Sequence, residues 1–165
     1  MMPHTQWKVE FGEWRTHDEQ SAAAQRLLAE LIGHKVTVEH DSQGAPYLPS
    51  HPDLHISLSH CRTAVAVVVN DTAAVGIDIE SRRKISPSLT ERVCTADEAT
   101  VVAAAEDPTM QFLQLWTRKE AVLKCRGTGI KGFGSMVHAL EAKDIEVHDL
   151  PCGQPDTVAA LATAL

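Results

Sequence analysis

A chain of 165 residues with 44% apolar content is long enough for one packed domain, or two small halves sharing a core, and too apolar for disorder. Its net charge of −7 argues against nucleic acid as the main partner. The longest apolar run, Ala64–Val69, is far too short to span a bilayer, and Met1–Lys8 lacks a signal peptide's apolar core, so no membrane partner and a cytoplasmic location are expected.

Trp7–Phe11 alternates apolar and polar residues, as a half-buried strand does. Thr16-His-Asp-Glu19 is a capping box that starts a helix running to about Ile32, with Leu27, Leu28 and Leu31 inward and Gly33 ending it. Val36–His40 reads as a strand and Asp41-Ser-Gln-Gly44 as a turn. Ile56–His60 and Ala64–Val69 are strands, the second buried on both faces. Asn70-Asp71 turns the chain into the strand Ala74–Glu80. Short helices then begin at Ser86-Pro87 and at a second capping box, Thr95-Ala-Asp-Glu98, the latter running through Ala105. Asp107-Pro108 breaks that helix, Met110–Arg126 forms a long one, and Gly127 suits its C-terminal cap. Asp144–Leu150 and Thr157–Leu165 are expected as a closing pair of strands. The order reads as α+β in two loosely similar halves.

Cys61, Cys94, Cys125 and Cys152 are widely spaced with no Cys-x-x-Cys pair, which argues against a zinc site and suits reduced thiols. Eight of the 15 basic residues (Arg82, Arg83, Lys84, Arg118, Lys119, Lys124, Arg126 and Lys131) follow or lie within two short motifs. In an acidic protein that clustering suits an anionic ligand, or else a set of solvated surface charges.

The first motif is Val75-Gly-Ile-Asp-Ile-Glu80. Side chains at i and i+2 of a strand share a face roughly 7 Å apart, so Asp78 and Glu80 lie together while Val75, Ile77 and Ile79 fill the core. Two carboxylates that close repel, and a hard divalent cation removes the cost. By itself the pair equally suits an ordinary solvated strand face. The second motif is Trp116-Thr-Arg-Lys-Glu-Ala-Val-Leu-Lys124, in which Trp116, Glu120 and Lys124 line one helical stripe. Glu120 could be a third metal ligand or a base, and Lys124 a phosphate contact, or the two a routine surface ion pair. In Ser57-Leu-Ser-His60 the two serines share a strand face. A hydroxyl and imidazole holding a phosphate at a strand end is one reading, and a satisfied structural pair is the other. No glycine-flanked serine elbow supports a serine nucleophile.

Taken together, Ile56-Ser-Leu-Ser-His-Cys61, Val75-Gly-Ile-Asp-Ile-Glu80 and Leu115-Trp-Thr-Arg-Lys-Glu-Ala-Val-Leu-Lys124 resemble the three signature blocks of 4′-phosphopantetheinyl transferases, in the right order. Gly127-Thr-Gly129 fits the loop that follows, and the likeness covers roughly residues 44–135. It is closest to the larger Sfp-type class, with two pseudo-symmetric αβ halves and the active site between them. That implies a single domain with halves at 1–72, which is short for the class, and 73–165. The resemblance implies transfer of 4′-phosphopantetheine from coenzyme A to a serine of an acyl or peptidyl carrier protein, with release of 3′,5′-ADP. It further implies Mg²⁺ on Asp78, Glu80 and Glu120, with Glu120 also the base. Lys124 would contact the pyrophosphate, and Ser59 and His60 the 3′-phosphate. Lys119 belongs to the same block, but its own chemistry gives it no separate role.

The family usually has Gly-Lys-Pro ahead of the serine-histidine block, and this chain has Gly44-Ala-Pro46. Losing one charge-assisted contact costs roughly 1.5–3 kcal/mol. A non-catalytic member that binds coenzyme A or a carrier protein is therefore an alternative, and a Mg²⁺-dependent phosphohydrolase a more distant one. Two halves in one chain favour a monomer. The basic residues around both motifs are expected to guide an acidic carrier protein.

Overall fold

A computed structural model describes residues 4–129 and 133–165, so Lys131 lies outside the described residues. The elements run β1 (Thr5–Phe11), α1 (His17–Ile32), β2 (Glu39–His40), β3 (Pro46–Tyr47), β4 (His55–Cys61), β5 (Ala64–Asn70), β6 (Val75–Ser81), α2 (Pro87–Val93), α3 (Ala96–Ala104), α4 (Pro108–Arg126), β7 (Ile145–Leu150) and β8 (Thr157–Ala164). This is the mixed α and β composition the sequence suggests. No described helix is long and apolar enough to cross a membrane.

Local chemistry accounts for most boundaries. Thr16 Oγ1 accepts the Glu19 N–H at the start of α1, and Gly33 closes the helix in the left-handed region at φ 96°. The Glu19 carboxylate takes the Arg15 N–H, so the reciprocal half of the expected box is redirected by one residue. At α3 the box is complete, with Thr95 and Glu98 each holding the other's backbone N–H. Asp107-Pro108 separates α3 from α4 as expected, but α4 starts at Pro108, two residues ahead of the expected Met110, because Asp107 caps the Met110 N–H and a proline at the first helical position gives up no intrahelical bond. Val36–His40 also differs: only Glu39–His40 pairs, in a two-residue ladder with Pro46–Tyr47. Asp41 Oδ1 takes the N–H groups of Gln43 and Ala45, and that turn sets so short a hairpin.

Two three-stranded antiparallel sheets, ordered β1-β5-β4 and β6-β8-β7, form the centre. β5 is buried along its whole length, as its unbroken apolar run requires. Val65, Val67 and Val69 face the Leu27 and Leu28 side of α1, while Ala64, Ala66 and Val68 meet Val75, Ile77 and Ile79 of β6. On the far side of β8, Ala160 and Ala162 pack against Ala121, Val122 and Cys125 of α4. At the turn between the sheets, buried Asn70 takes the Thr72 and Ala73 N–H groups on Oδ1 and donates to Thr5 Oγ1.

Two features set the position of β6. It is an edge strand of its sheet, and the Ser57 and Ser59 hydroxyls of β4 accept its Ile77 and Ile79 N–H groups at 3.0 and 3.2 Å. Side-chain oxygens thus satisfy buried donors that no neighbouring strand reaches. On the opposite face, Gly76 lies against the backbone of α4. A Cβ there would fall well inside contact distance of the Ala121 carbonyl and 2.5 Å from the Cys125 nitrogen.

α4 is anchored from its other side by Lys119, which is fully buried. Its Nζ donates to Val93 O at 2.7 Å, Glu98 Oε1 at 2.6 Å and Val137 O at 2.9 Å, so all three donors are satisfied. The lysine of the second motif therefore binds α4 to the cap of α3 and has a structural role.

Two stability predictions follow from these contacts. Replacing Gly76 with Ala forces backbone against backbone and should cost about 2–3 kcal/mol or more in urea denaturation. Lys119→Ala removes the buried cation from Glu98 and the donor from the Val93 and Val137 carbonyls and should cost about 3–5 kcal/mol. Exposed Lys84→Ala should stay within about 0.5 kcal/mol of the parent.

Candidate active site

The face of β6 that carries Gly76 also carries Asp78 and Glu80, and the same two-residue step aims both at α4. Asp78 is buried at 6% exposure, and Glu120 of α4 at 5%. Asp78 Oδ1 accepts from Ser59 Oγ at 2.9 Å and from Lys124 Nζ at 3.0 Å. Its Oδ2 is buried and has no hydrogen-bond partner among the described residues. Leaving a buried carboxylate oxygen bare is costly, and the coupling of Asp78 to the other two acids makes the place suit a cation.

The electrostatics agree. Burial, then the Asp78 charge, pushes the Glu120 carboxyl up to about 7; Glu80 adds to the effect and Lys124 opposes it. Glu80 is also raised, by burial first and Asp78 second, against the pull of Arg83. Arg83 Nε lies 3.3 Å from Glu80 Oε2, and its guanidinium sits over the Trp116 ring at 5.5 Å. Three acids are thus held close together, with Lys124 bonded to Asp78 and Arg83 to Glu80. No group of three metal-ligating side chains among the described residues stands in ready-made coordination geometry. A donor set of this kind fits a hard cation that takes one or two carboxylates and completes its shell with ligand oxygens and water.

Lys124 links this acid cluster to a cleft. Its Nζ also donates to Leu58 O at 3.3 Å and Ile77 O at 3.0 Å, joining β4, β6 and α4. The cleft, about 340 Å³, lies between α1, the β2–β3 hairpin, β4 and the C-terminal end of α4, and Ser59, His60, Ala45, Gly127 and Gly129 all line it. Burial, then His17 and Lys124, lowers the His60 pKa, while Asp78 raises it. Ser59 is less available than its place in the motif suggests, because its hydroxyl donates to Asp78 and accepts from Ile79.

The residues singled out from the sequence therefore form one connected site. Asp78, Glu80 and Glu120 make the acid cluster, Ser59 and Lys124 hold Asp78, and His60 stands at the cleft. The basic residues are arranged differently from expectation. Arg82 pairs with Asp107 and Asp156, Arg83 with Glu80, Arg118 with Asp149, Lys119 with Glu98, Lys124 with Asp78 and Arg126 with Asp144. Six of the eight are neutralised by partners far along the chain or across a turn, so they do not form a free positive surface. His17 and His40 also line the cleft. Nothing in the sequence near either residue marks it, since only the fold brings them to His60.

Comparison with known proteins is consistent with this geometry. Residues 74–163 match the model of the 4′-phosphopantetheinyl transferase superfamily. The chain is 33% identical over 126 residues to 4′-phosphopantetheinyl transferase psf-1 of Bacillus pumilus, covering 72% of this chain and 54% of that protein. Sfp of Bacillus subtilis, also a 4′-phosphopantetheinyl transferase, is 31% identical over 117 residues, 66% of this chain and 52% of its own. AcpT of Salmonella typhimurium, another 4′-phosphopantetheinyl transferase, is 33% identical over 110 residues, 64% of this chain and 57% of its own. The chain spans about half the length of the curated relatives it matches.

The buried acids predict a pH effect on the metal-free protein. Glu120 binds its proton more tightly folded than unfolded, so stability is highest below its ordinary value of 4.5 and falls as pH rises toward about 7. The loss attributable to Glu120 should be roughly 2–3 kcal/mol. Urea denaturation at pH 5 and pH 8 should show it, and Glu120→Gln should remove most of that difference.

Proposed function

The chain belongs to the 4′-phosphopantetheinyl transferase superfamily, and from that premise we propose that it transfers 4′-phosphopantetheine from coenzyme A to a serine of an acyl or peptidyl carrier protein, acting as a cytoplasmic monomer. In this reading the α1-backed sheet, residues 1–72, and the α4-backed sheet, residues 73–165, are two pseudo-symmetric halves with the active site at their seam. The observation that carries the proposal is the unpartnered buried Asp78 Oδ2 beside Glu80 and Glu120, joined through Lys124 to the cleft.

In the reaction, the serine oxygen bonds to the phosphorus that bears the pantetheine arm. The bond from that phosphorus to the bridging oxygen breaks, and 3′,5′-ADP leaves with that oxygen. The serine proton passes to Glu120, directly or through water. Asp78, Glu80 and Glu120 would hold Mg²⁺, whose charge offsets that of the diphosphate when it is bound. Lys124 fixes Asp78, and its partly exposed side chain brings a positive charge near the diphosphate while its donors stay on the protein. His60 contacts the nucleotide phosphate in the cleft, and Ser59 keeps Asp78 oriented. A non-catalytic binding role is the second reading, favoured by uncharged Ala45 in the cleft wall.

Incubation with coenzyme A, Mg²⁺ and a panel of apo carrier proteins, followed by intact mass, decides between them. A gain of one phosphopantetheine supports transfer, and Asp78→Asn or Glu120→Gln should slow it by about 100-fold or more. Coenzyme A binding with no carrier modified would favour the binding role. Parent rates in either variant would remove the acid cluster from the mechanism.

A further inference from the structure

Two of the three acids already hold a cation of the chain's own. Asp78 Oδ1 accepts from Lys124 Nζ at 3.0 Å, and Glu80 Oε2 accepts from Arg83 Nε at 3.3 Å. The two bonds are unlike. Lys124 is tied in three places, to Leu58 O, Ile77 O and Asp78, and so belongs to the frame of the site. Arg83 meets no carboxylate but Glu80 among the described residues, its bond is long for a charged pair, and its side chain is 40% exposed. Of the two cations, the arginine is the one that another can replace.

Trp116 keeps that arginine in place. Its ring pairs with fully buried Phe112 at a centroid distance of 6.0 Å and with Phe133 at 6.5 Å, and the Arg83 guanidinium lies over it at 5.5 Å. A guanidinium stacked on a fixed aromatic face loses little further freedom by reaching the carboxylate beside it. The stack does not depend on Glu80, so it survives when Glu80 takes another partner. We infer that Arg83 is a built-in competitor for the divalent cation at Glu80, which keeps the affinity of the acids low for an ion that arrives without a diphosphate. The inference rests on the metal reading of Asp78, Glu80 and Glu120 above and assigns a role to a residue outside all three motifs.

The balance of charges carries the argument. A divalent ion entering alone must take Glu80 from Arg83 and then lie close to two positive side chains, Arg83 and Lys124. An ion entering with a diphosphate brings further oxygen ligands, and the negative charge of the diphosphate offsets both side chains. The arginine therefore penalises the bare ion more than the ion with its nucleotide, and uptake of the two is coupled. A routine surface ion pair would have no such effect, and the two cases differ in a measurable way.

Mn²⁺ suits the same oxygen donors as Mg²⁺, and the paramagnetic resonance signal of the free ion reads its binding without turnover. Arg83→Gln should bind Mn²⁺ alone about fivefold more tightly than the parent. Arg83→Lys, which keeps the charge, should stay nearer the parent than Arg83→Gln does. Lys84→Gln, the same change of charge at the next and exposed residue, should stay within about twofold of the parent. Added coenzyme A should tighten Mn²⁺ binding by a larger factor in the parent than in Arg83→Gln. Equal or weaker affinity of Arg83→Gln for Mn²⁺ alone, or an equal gain in Arg83→Lys or Lys84→Gln, would overturn the role of Arg83, and binding of Mn²⁺ by the parent with coenzyme A would then leave the metal reading intact. Binding of Mn²⁺ by neither parent nor variant, with or without coenzyme A, would overturn both.

Discussion

The bare backbone of Gly76 against α4 is the constraint on which the site depends. The atoms that a side chain there would strike belong to Ala121 and Cys125, the immediate neighbours of Glu120 and Lys124. The same contact that brings β6 onto the helix therefore sets how near Asp78 and Glu80, two and four residues further along β6, come to the glutamate and lysine. An ordinary side chain would hold strand and helix farther apart. The acids would then gain water and lose their mutual coupling. Lys119 acts from the far side of the helix, where its three buried hydrogen bonds hold α4 to the cap of α3. The glycine permits the approach, and the lysine helps keep the helix in place.

Holding acids so close is unfavourable for the protein alone, and Asp78 shows how the cost is distributed. One of its oxygens accepts from Ser59 and Lys124, while the other is buried without a hydrogen-bond partner among the described residues. Glu120 responds by keeping its proton to about pH 7. Under the proposed function, a cation arriving with the ligand would relieve the repulsion that Lys124 and Arg83 offset only in part. Ser57 and Ser59 make the arrangement possible by satisfying the edge N–H groups of β6, so that the seam between the sheets can be buried beside the acids.

Much of this was legible in the sequence, because the signals are local. The fully apolar run at Ala64–Val69 marked a strand covered on both faces. The capping residues Thr16, Ser86 and Thr95 marked helix starts. The alternation through Val75–Glu80 put its acids opposite its aliphatic residues, and the α4 stripe put Glu120 and Lys124 on one side. Features that depend on tertiary contacts were not legible. Asp107-Pro108 was legible as the break between α3 and α4, but not as the first turn of α4 itself. Val36–Val38 has strand-like residues but pairs with nothing, because the Asp41 turn limits the hairpin to two residues. The serine hydroxyls looked available for a ligand, yet each accepts a β6 N–H that becomes visible only when the two sheets meet. His17 meets His60 only through the packing of α1 on its sheet.

The same distinction governs charge. Counted along the chain, the basic residues concentrate around the two motifs and suggest a positive field that draws an anion inward. In the fold, Arg82, Arg83, Arg118, Lys119, Lys124 and Arg126 each meet a carboxylate, and the net charge of −7 remains to oppose an anion's approach. The paired charges therefore supply little free positive field among the described residues. Under the proposed function an anion in the cleft would be held by short contacts, where Lys124 already serves the protein's own carbonyls and Asp78.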